Sequence, residues 1–282
     1  MLSTRDILRK IKVVTNIQQI CKAMKTVSSI KLKKAEESVQ SALPYSLGIK
    51  KIVLTLTNIE RENPLFKENL DAKTRAVVVI GADKGLAGSF NTNLLRHATQ
   101  YIQGLKGDVV TVPIGRKVYD NFSYKKFDID SGVPLIGGTP EFYTYAAIAD
   151  HLVDLYLKGK INGADIIYTH AGGKVYTEQL LPISKSNDAQ IEEEQTPQDM
   201  IFEPSAGKIL SRLLPRYLRT IIYSSVLSSV AAEHSARVAA MSMASDNAEE
   251  LIGNLETEYN KSRQTTITNE LIDIVGAAEA LN

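Results

Sequence analysis

Hydrophobic positions along the chain fall into three regimes, helical at both ends and strand-like in between. From Ile7 the apolar residues recur at Ile11, Val14, Ile17, Cys21, Met24 and Val27, in steps of three and four. That spacing places them on one narrow helix face, close to a coiled-coil seam. Ala35 and Val39 continue it, Pro44 is expected to kink or break the helix, and Ile49, Ile52, Val53 and Leu56 resume the pattern as far as Thr57-Asn58. Ser3 or Thr4 can cap its start, with Asp6 well placed for the helix dipole. A second helix is expected from Pro204-Ser205 toward Asn282, interrupted only by Pro215. At 1.5 Å per residue these helices reach roughly 85 and 110 Å, too long for a compact domain of this size. An antiparallel pair, with the C-terminal helix overhanging, accommodates both.

The middle alternates differently. Arg75–Gly81 is a β-branched run that reads as a buried strand. A glycine-bearing loop, Asp83-Lys84-Gly85-Leu86-Ala87-Gly88-Ser89-Phe90, then leads to a helix near 91–103. Further strands are expected at Asp108–Ile114, Ala164–Thr169 and Val175–Ile183, with helices at Gly115–Phe122 and Pro140–Lys158. Strand–helix alternation favours a parallel α/β sheet, and the short link at Gly172-Gly173 suggests a hairpin at one edge. Residues 185–200, with Glu192-Glu193-Glu194, read as an acidic loop. The fold class is therefore α/β plus a long antiparallel helical coiled coil. The expected boundaries are 1–58 for the first helix, 59–204 for a Rossmann-like domain and 205–282 for the second helix.

Charge refines this division. The 282 residues carry 33 Lys+Arg against 32 Asp+Glu, but residues 1–40 hold nine basic against three acidic. Residues 206–282 hold seven against nine, so the near-neutral total sums unlike surfaces. The basic stretch reads either as a solvated helix face or as a surface with acidic neighbours. The single cysteine, Cys21, excludes an internal disulfide, and no apolar run approaches the roughly 18 residues of a membrane span. A soluble, cytosolic protein is the expectation.

Catalytic chemistry finds little support. Gly81, Gly85 and Gly88 match neither the Walker spacing nor the dinucleotide fingerprint, so the loop reads as a tight turn rather than a phosphate cradle. His97, His151, His170 and His234 show no metal-ligand spacing, and no serine stands in a Gly-x-Ser-x-Gly elbow. Only His170, at a predicted strand end, sits where α/β enzymes place catalytic groups. No cofactor or metal is expected. More informative is Ser224–Ala248, where fourteen of twenty-five residues are Ala or Ser. Such a helix either packs into a slim pair that fits inside something, or simply has high helix propensity.

Several blocks together resemble one family, the gamma subunit of the rotary F-type ATP synthase, in its bacterial form. They are Gln18-Gln19-Ile20-Cys21-Lys22-Ala23-Met24, the loop Asp83–Asn91, Ala232-Glu233-His234-Ser235-Ala236-Arg237, Asp246-Asn247-Ala248 and Tyr259-Asn260-Lys261-Ser262-Arg263-Gln264. Ile267-Thr268-Asn269-Glu270-Leu271 and Ile274-Val275 complete the set, and the resemblance spans essentially the whole chain. It implies a non-catalytic rotor shaft, turning inside a ring of alpha and beta subunits. The α/β domain would then sit at the shaft's base, beside the epsilon subunit and the c-ring. Such a chain is one copy per complex, binds no nucleic acid, and is peripheral to the cytoplasmic face of the bacterial membrane, coupled to proton or sodium flow. By the same resemblance Arg263 and Gln264, with Thr268 and Glu270 nearby, contact a loop of the catalytic subunit. Met24, Lys22, Lys25, Arg9 and Lys12 face its lever segments, and Ile274, Val275, Ala278 and Leu281 ride in an apolar bearing. Ser228, Thr265, Ala277, Ala87 and Ser89 depart from the family pattern, and no cysteine-bearing insertion of the thiol-regulated chloroplast form is present.

Overall fold

In a computed structural model, residues 4–59, 63–132, 140–183, 203 and 205–279 are described. The acidic segment 185–200, Ser3 and Leu281 lie outside them, as do the side chains of 57–59 and 277–279, including Thr57, Asn58, Ala277 and Ala278. The chain divides into two compact units, Ile30–Ala236 and a second formed by Met1–Ser29 with Arg237–Asn282. Helices α1 (Thr4–Ile59) and α5 (Ala206–Glu279) each contribute to both.

The larger unit is a five-stranded sheet with helices on both faces. Its strands are β1 (Thr74–Ile80), β2 (Asp108–Ile114), β3 (Asp128–Ile129), β4 (Gly163–Thr169) and β5 (Val175–Leu181). They lie in the order β3-β2-β1-β4-β5. All neighbours are parallel except β4 and β5, which form the expected antiparallel edge hairpin. Buried on both faces, β1 and β4 read as near-continuous apolar runs. Val77, Val79 and Ile167 point toward α2 (Phe90–Gly104) and α3 (Arg116–Tyr124), packing on Leu94, Ala98, Val118 and Phe122. Val78, Ile80 and Ile166 point to the other face, where α4 (Phe142–Leu157) supplies Ile148 and Leu152. Ile49, Val53 and Leu56 of α1 and Leu214, Leu218 and Ile222 of α5 complete that core. The two-residue β3 and a 3₁₀ turn at Pro64–Phe66 went unpredicted, both too short to leave a periodic signal.

Of the expected kink or break at Pro44, the break does not occur: α1 runs through it from Thr4 to Ile59. Pro44 is exposed, as is Gln40, whose carbonyl loses its helical donor, so water can take that donor's place. Pro215 is likewise accommodated inside α5.

The smaller unit is an antiparallel helix pair. Gln18 Nε2 donates to Glu249 Oε2 at 3.2 Å, and Lys25 Nζ donates to Ser242 Oγ at 3.1 Å. One heptad forward on α1 thus matches one heptad back on α5. The seam holds Ile7, Gln18, Cys21 and Ser28 from α1 against Met241, Ser245, Ala248 and Leu255 from α5. This corrects the predicted stripe: Ile17 and Val27 are 49% and 54% exposed, while polar Gln18 and Ser28 are buried in their stead. Cys21 and Met24 sit between two adjacent stripes, so spacing alone admitted either. At the observed register α1 begins level with Arg263, and α5 continues beyond it through Glu279, about 24 Å of overhang.

Candidate functional site: the helical pair and its overhang

Residues 263–276 are all exposed, apolar side chains included. In a helix, Arg263, Ile267, Glu270 and Ile274 share one stripe, while Gln264, Thr268, Leu271 and Val275 share the adjacent one. The four residues expected to meet a catalytic-subunit loop therefore divide between two neighbouring stripes, each mixing polar and apolar groups. Arg263 brings a fork of five donors, and the Gln264 amide both donates and accepts. The Thr268 hydroxyl is turned back to donate to the Gln264 carbonyl at 2.9 Å, and Thr265 and Thr266 do the same one turn below. A shallow apolar surface remains beside Leu271, Ile272 and Val275, adjoining Thr268 and Gly276.

On α1, Arg9, Lys12 and Lys22 are exposed, while Met24 is half-buried. Lys25 reaches across the seam to Ser242, which separates it from the other basic residues. These five residues lie on several sides of α1 rather than in one stripe. Gln18, Ser242 and Glu249, which join the two helices, escaped the sequence reading. The available signal was spacing: Ile11, Gln18 and Lys25 recur every seven residues, in register with Ile7, Val14, Cys21 and Ser28.

In the larger unit the glycine loop is a packing device. Its Ala82, Ala87 and Phe90 cluster with Ala232 of α5. The Ser229 hydroxyl donates to the Ile80 carbonyl at 3.2 Å, tying α5 to the end of β1. Within the loop, the Ala82 N–H donates to Asn91 Oδ1 at 3.2 Å, and Asp83 Oδ1 accepts from the Arg116 N–H at 2.8 Å. Leu86 and Gly88 take the left-handed conformation, and a side chain on Gly115 would lie 2.5 Å from the Gly81 carbonyl oxygen. The sheet order reverses between β1 and β4, and the crevice beyond such a reversal is where open α/β sheets hold ligands. At the β1 side of that reversal the chain places its own loop and α5.

The histidines are dispersed. His97 is hydrogen-bonded to Thr177 at 2.9 Å, His151 pairs with Asp130, and His170 lies edge-on to Tyr176 in the β4–β5 turn. Among the described residues no cluster of three or more His, Cys, Asp or Glu is placed to hold a metal. No described helix is long and apolar enough to cross a membrane.

The comparisons with known proteins agree with this geometry. A family model described as ATP synthase matches residues 3–281. The ATP synthase gamma chain of Symbiobacterium thermophilum is 39% identical over 98% of each chain. That of Desulforamulus reducens is 36% identical over 100% of each. A chain of the Euglena gracilis mitochondrial ATP synthase OSCP/F1/c-ring structure superposes with a TM-score of 0.68. It covers 99% of this chain and 94% of that one, at 18% identity. In the Tetrahymena thermophila central stalk/c-ring structure the score is 0.62, over 80% of this chain and 99% of that one, at 22% identity. The solved structures speak for the fold, and the full-length relatives for kinship: the chain belongs to the gamma-chain family of ATP synthase.

Proposed function

We propose that this chain is the central rotor shaft of an F-type ATP synthase. It couples ion flow through a membrane c-ring to ATP synthesis or hydrolysis in a ring of alpha and beta subunits, and performs no catalysis itself. The coupling ion is a proton or sodium. Full-length kinship to gamma chains carries the reading, and the exposed overhang of α5 supports it, since a helix end bearing Leu271, Ile274 and Val275 in water calls for a partner.

On this reading residues 1–58 and 205–282 make the shaft, and the domain over 59–204 meets the epsilon subunit and the c-ring. One copy serves each complex, peripheral to the cytoplasmic face of a bacterial membrane. Arg263 and Gln264, with Thr268 and Glu270, hydrogen-bond a loop of the catalytic beta subunit. Met24, Lys22, Lys25, Arg9 and Lys12 meet its levers. The bearing is lined by Ile274, Val275, Ala278 and Leu281. Screened charge suits a sliding contact because it attracts without interlocking.

Arg263→Ala combined with Gln264→Ala tests this assignment against Lys12→Ala. Loss of charge-assisted hydrogen bonds of about 1.5–3 kcal/mol each weakens assembly with the ring by roughly tenfold or more. Ion pumping per ATP hydrolysed falls with it. Lys12→Ala changes both far less. Equal effects of the two variants would remove these residues from the contact.

A further inference from the structure

Helix α1 turns its more apolar stripe away from its partner. Between residues 13 and 28 two stripes compete for the seam. One carries Val13, Ile17, Ile20 and Val27, which are 51%, 49%, 58% and 54% exposed. The other carries Val14, Gln18, Cys21, Lys25 and Ser28, and it is the one that faces α5. Burial of apolar area alone would favour the first arrangement, reached by turning α1 about its axis through roughly the 100° that separates successive helix residues. The second is the one observed, and its distinguishing contacts are Gln18 to Glu249 and Lys25 to Ser242.

We infer that Gln18, through Glu249 and seconded by Lys25 and Ser242, is a positioning residue that decides which face of α1 meets α5. A polar side chain at a seam position lowers stability yet specifies one arrangement. The opposing α5 surface is mostly small, Ser242, Ser245 and Ala248, with Met241 and half-buried Ile252 its larger side chains. Small residues of that kind present little relief for apolar knobs to read, so the polar pairs supply the discrimination. Turned the other way, α1 would leave the Gln18 amide and the Glu249 carboxylate without each other, and the Val13–Val27 stripe would be spent inside the pair. The consequence of the observed facing is that this stripe stays on the outside of the shaft.

The only thiol of the chain reports on the choice. Cys21 is buried in the seam, whereas Ile20 beside it faces out. Gln18→Glu, made in the full chain, sets two carboxylates against each other across the seam. Maleimide labelling of Cys21 is then expected to accelerate by about tenfold or more, as its face turns to solvent. Labelling of an Ile20→Cys thiol, read by peptide mass after the same treatment, slows in the same background. The exchange Gln18→Glu with Glu249→Gln restores an amide–carboxylate pair and returns both rates to their starting values. Two results overturn the inference. If Cys21 stays protected in Gln18→Glu, the facing is set elsewhere along the unbroken α1. If Cys21 and the Ile20→Cys thiol both become fast, the helices have parted rather than turned.

Discussion

Asp165 shows how single residues hold the sheet unit together. Its side chain is 2% exposed and accepts both arms of the Arg75 fork, at 2.5 and 2.7 Å, and the Tyr101 hydroxyl at 2.9 Å. Gly163 makes room for this, because a side chain there would lie 2.5 Å from the Arg75 guanidinium. Arg75→Met leaves a buried carboxylate without its cation, and a loss of about 3–5 kcal/mol in denaturant unfolding is expected. Asp165→Leu added to Arg75→Met removes the orphaned charge and recovers part of that loss, which a double-mutant cycle would read.

Two tyrosines add a pH dependence at the same scale. Burial, and then the Asp165 charge, pushes Tyr101 up to about 12 from its ordinary 10.0. Burial, followed by Asp83, does the same for Tyr145, also to about 12. Between pH 10 and 12 the unfolded tyrosines lose protons that the folded ones retain, so stability falls as pH rises through that window and levels off above it. Urea midpoints measured below pH 10 and near pH 12 should show the fall. Tyr101→Phe should make it shallower, and an unchanged slope would remove Tyr101 from the account.

At the scale of elements, the strand–helix alternation was legible because each buried strand is a β-branched run closed by Gly, Pro or Asn. Arg75–Gly81 and Asp108–Ile114 fall within a residue of β1 and β2. The long helices were legible too, but the face of α1 was not: hydrophobicity pointed to Ile17 and Val27, and hydrogen bonds across the seam put Gln18 there. The seven-residue recurrence of Ile11, Gln18 and Lys25 marked that face, but hydrophobicity did not, and the partner 231 positions away was invisible to local pattern. Nor could the sequence show that Pro44 is tolerated, because tolerance depends on the exposure of its turn. Since Pro44 still forfeits a hydrogen bond within α1, Pro44→Ala should stabilise that helix by up to about 3 kcal/mol. The check is slower amide exchange over residues 40–48, and unchanged exchange would mean the turn has compensated fully.

For the whole molecule, the gamma-chain family and the proposed rotor role give one meaning to features that otherwise stand apart. The sheet unit keeps a doubly wound layout, yet its loop and α5 pack together at the end of β1. The helix pair is slim and partly polar at its seam, and α5 outruns α1 with apolar residues exposed. The contact proposed for Arg263 and Gln264 rests on family resemblance alone, since an exposed Arg-Gln on a helix carries no local signature of a partner.

Rotation of the shaft can be watched directly. The full chain carrying Tyr124→Cys, at a position 87% exposed in the native protein, would be assembled with alpha and beta subunits of a bacterial relative on a surface. A bead would then be attached through the new thiol. One chain per ring is expected, with ATP-driven turning of the bead in a single direction. A ring that hydrolyses ATP while the bound chain stays still, or that does not take up the chain, would contradict the proposed rotor role.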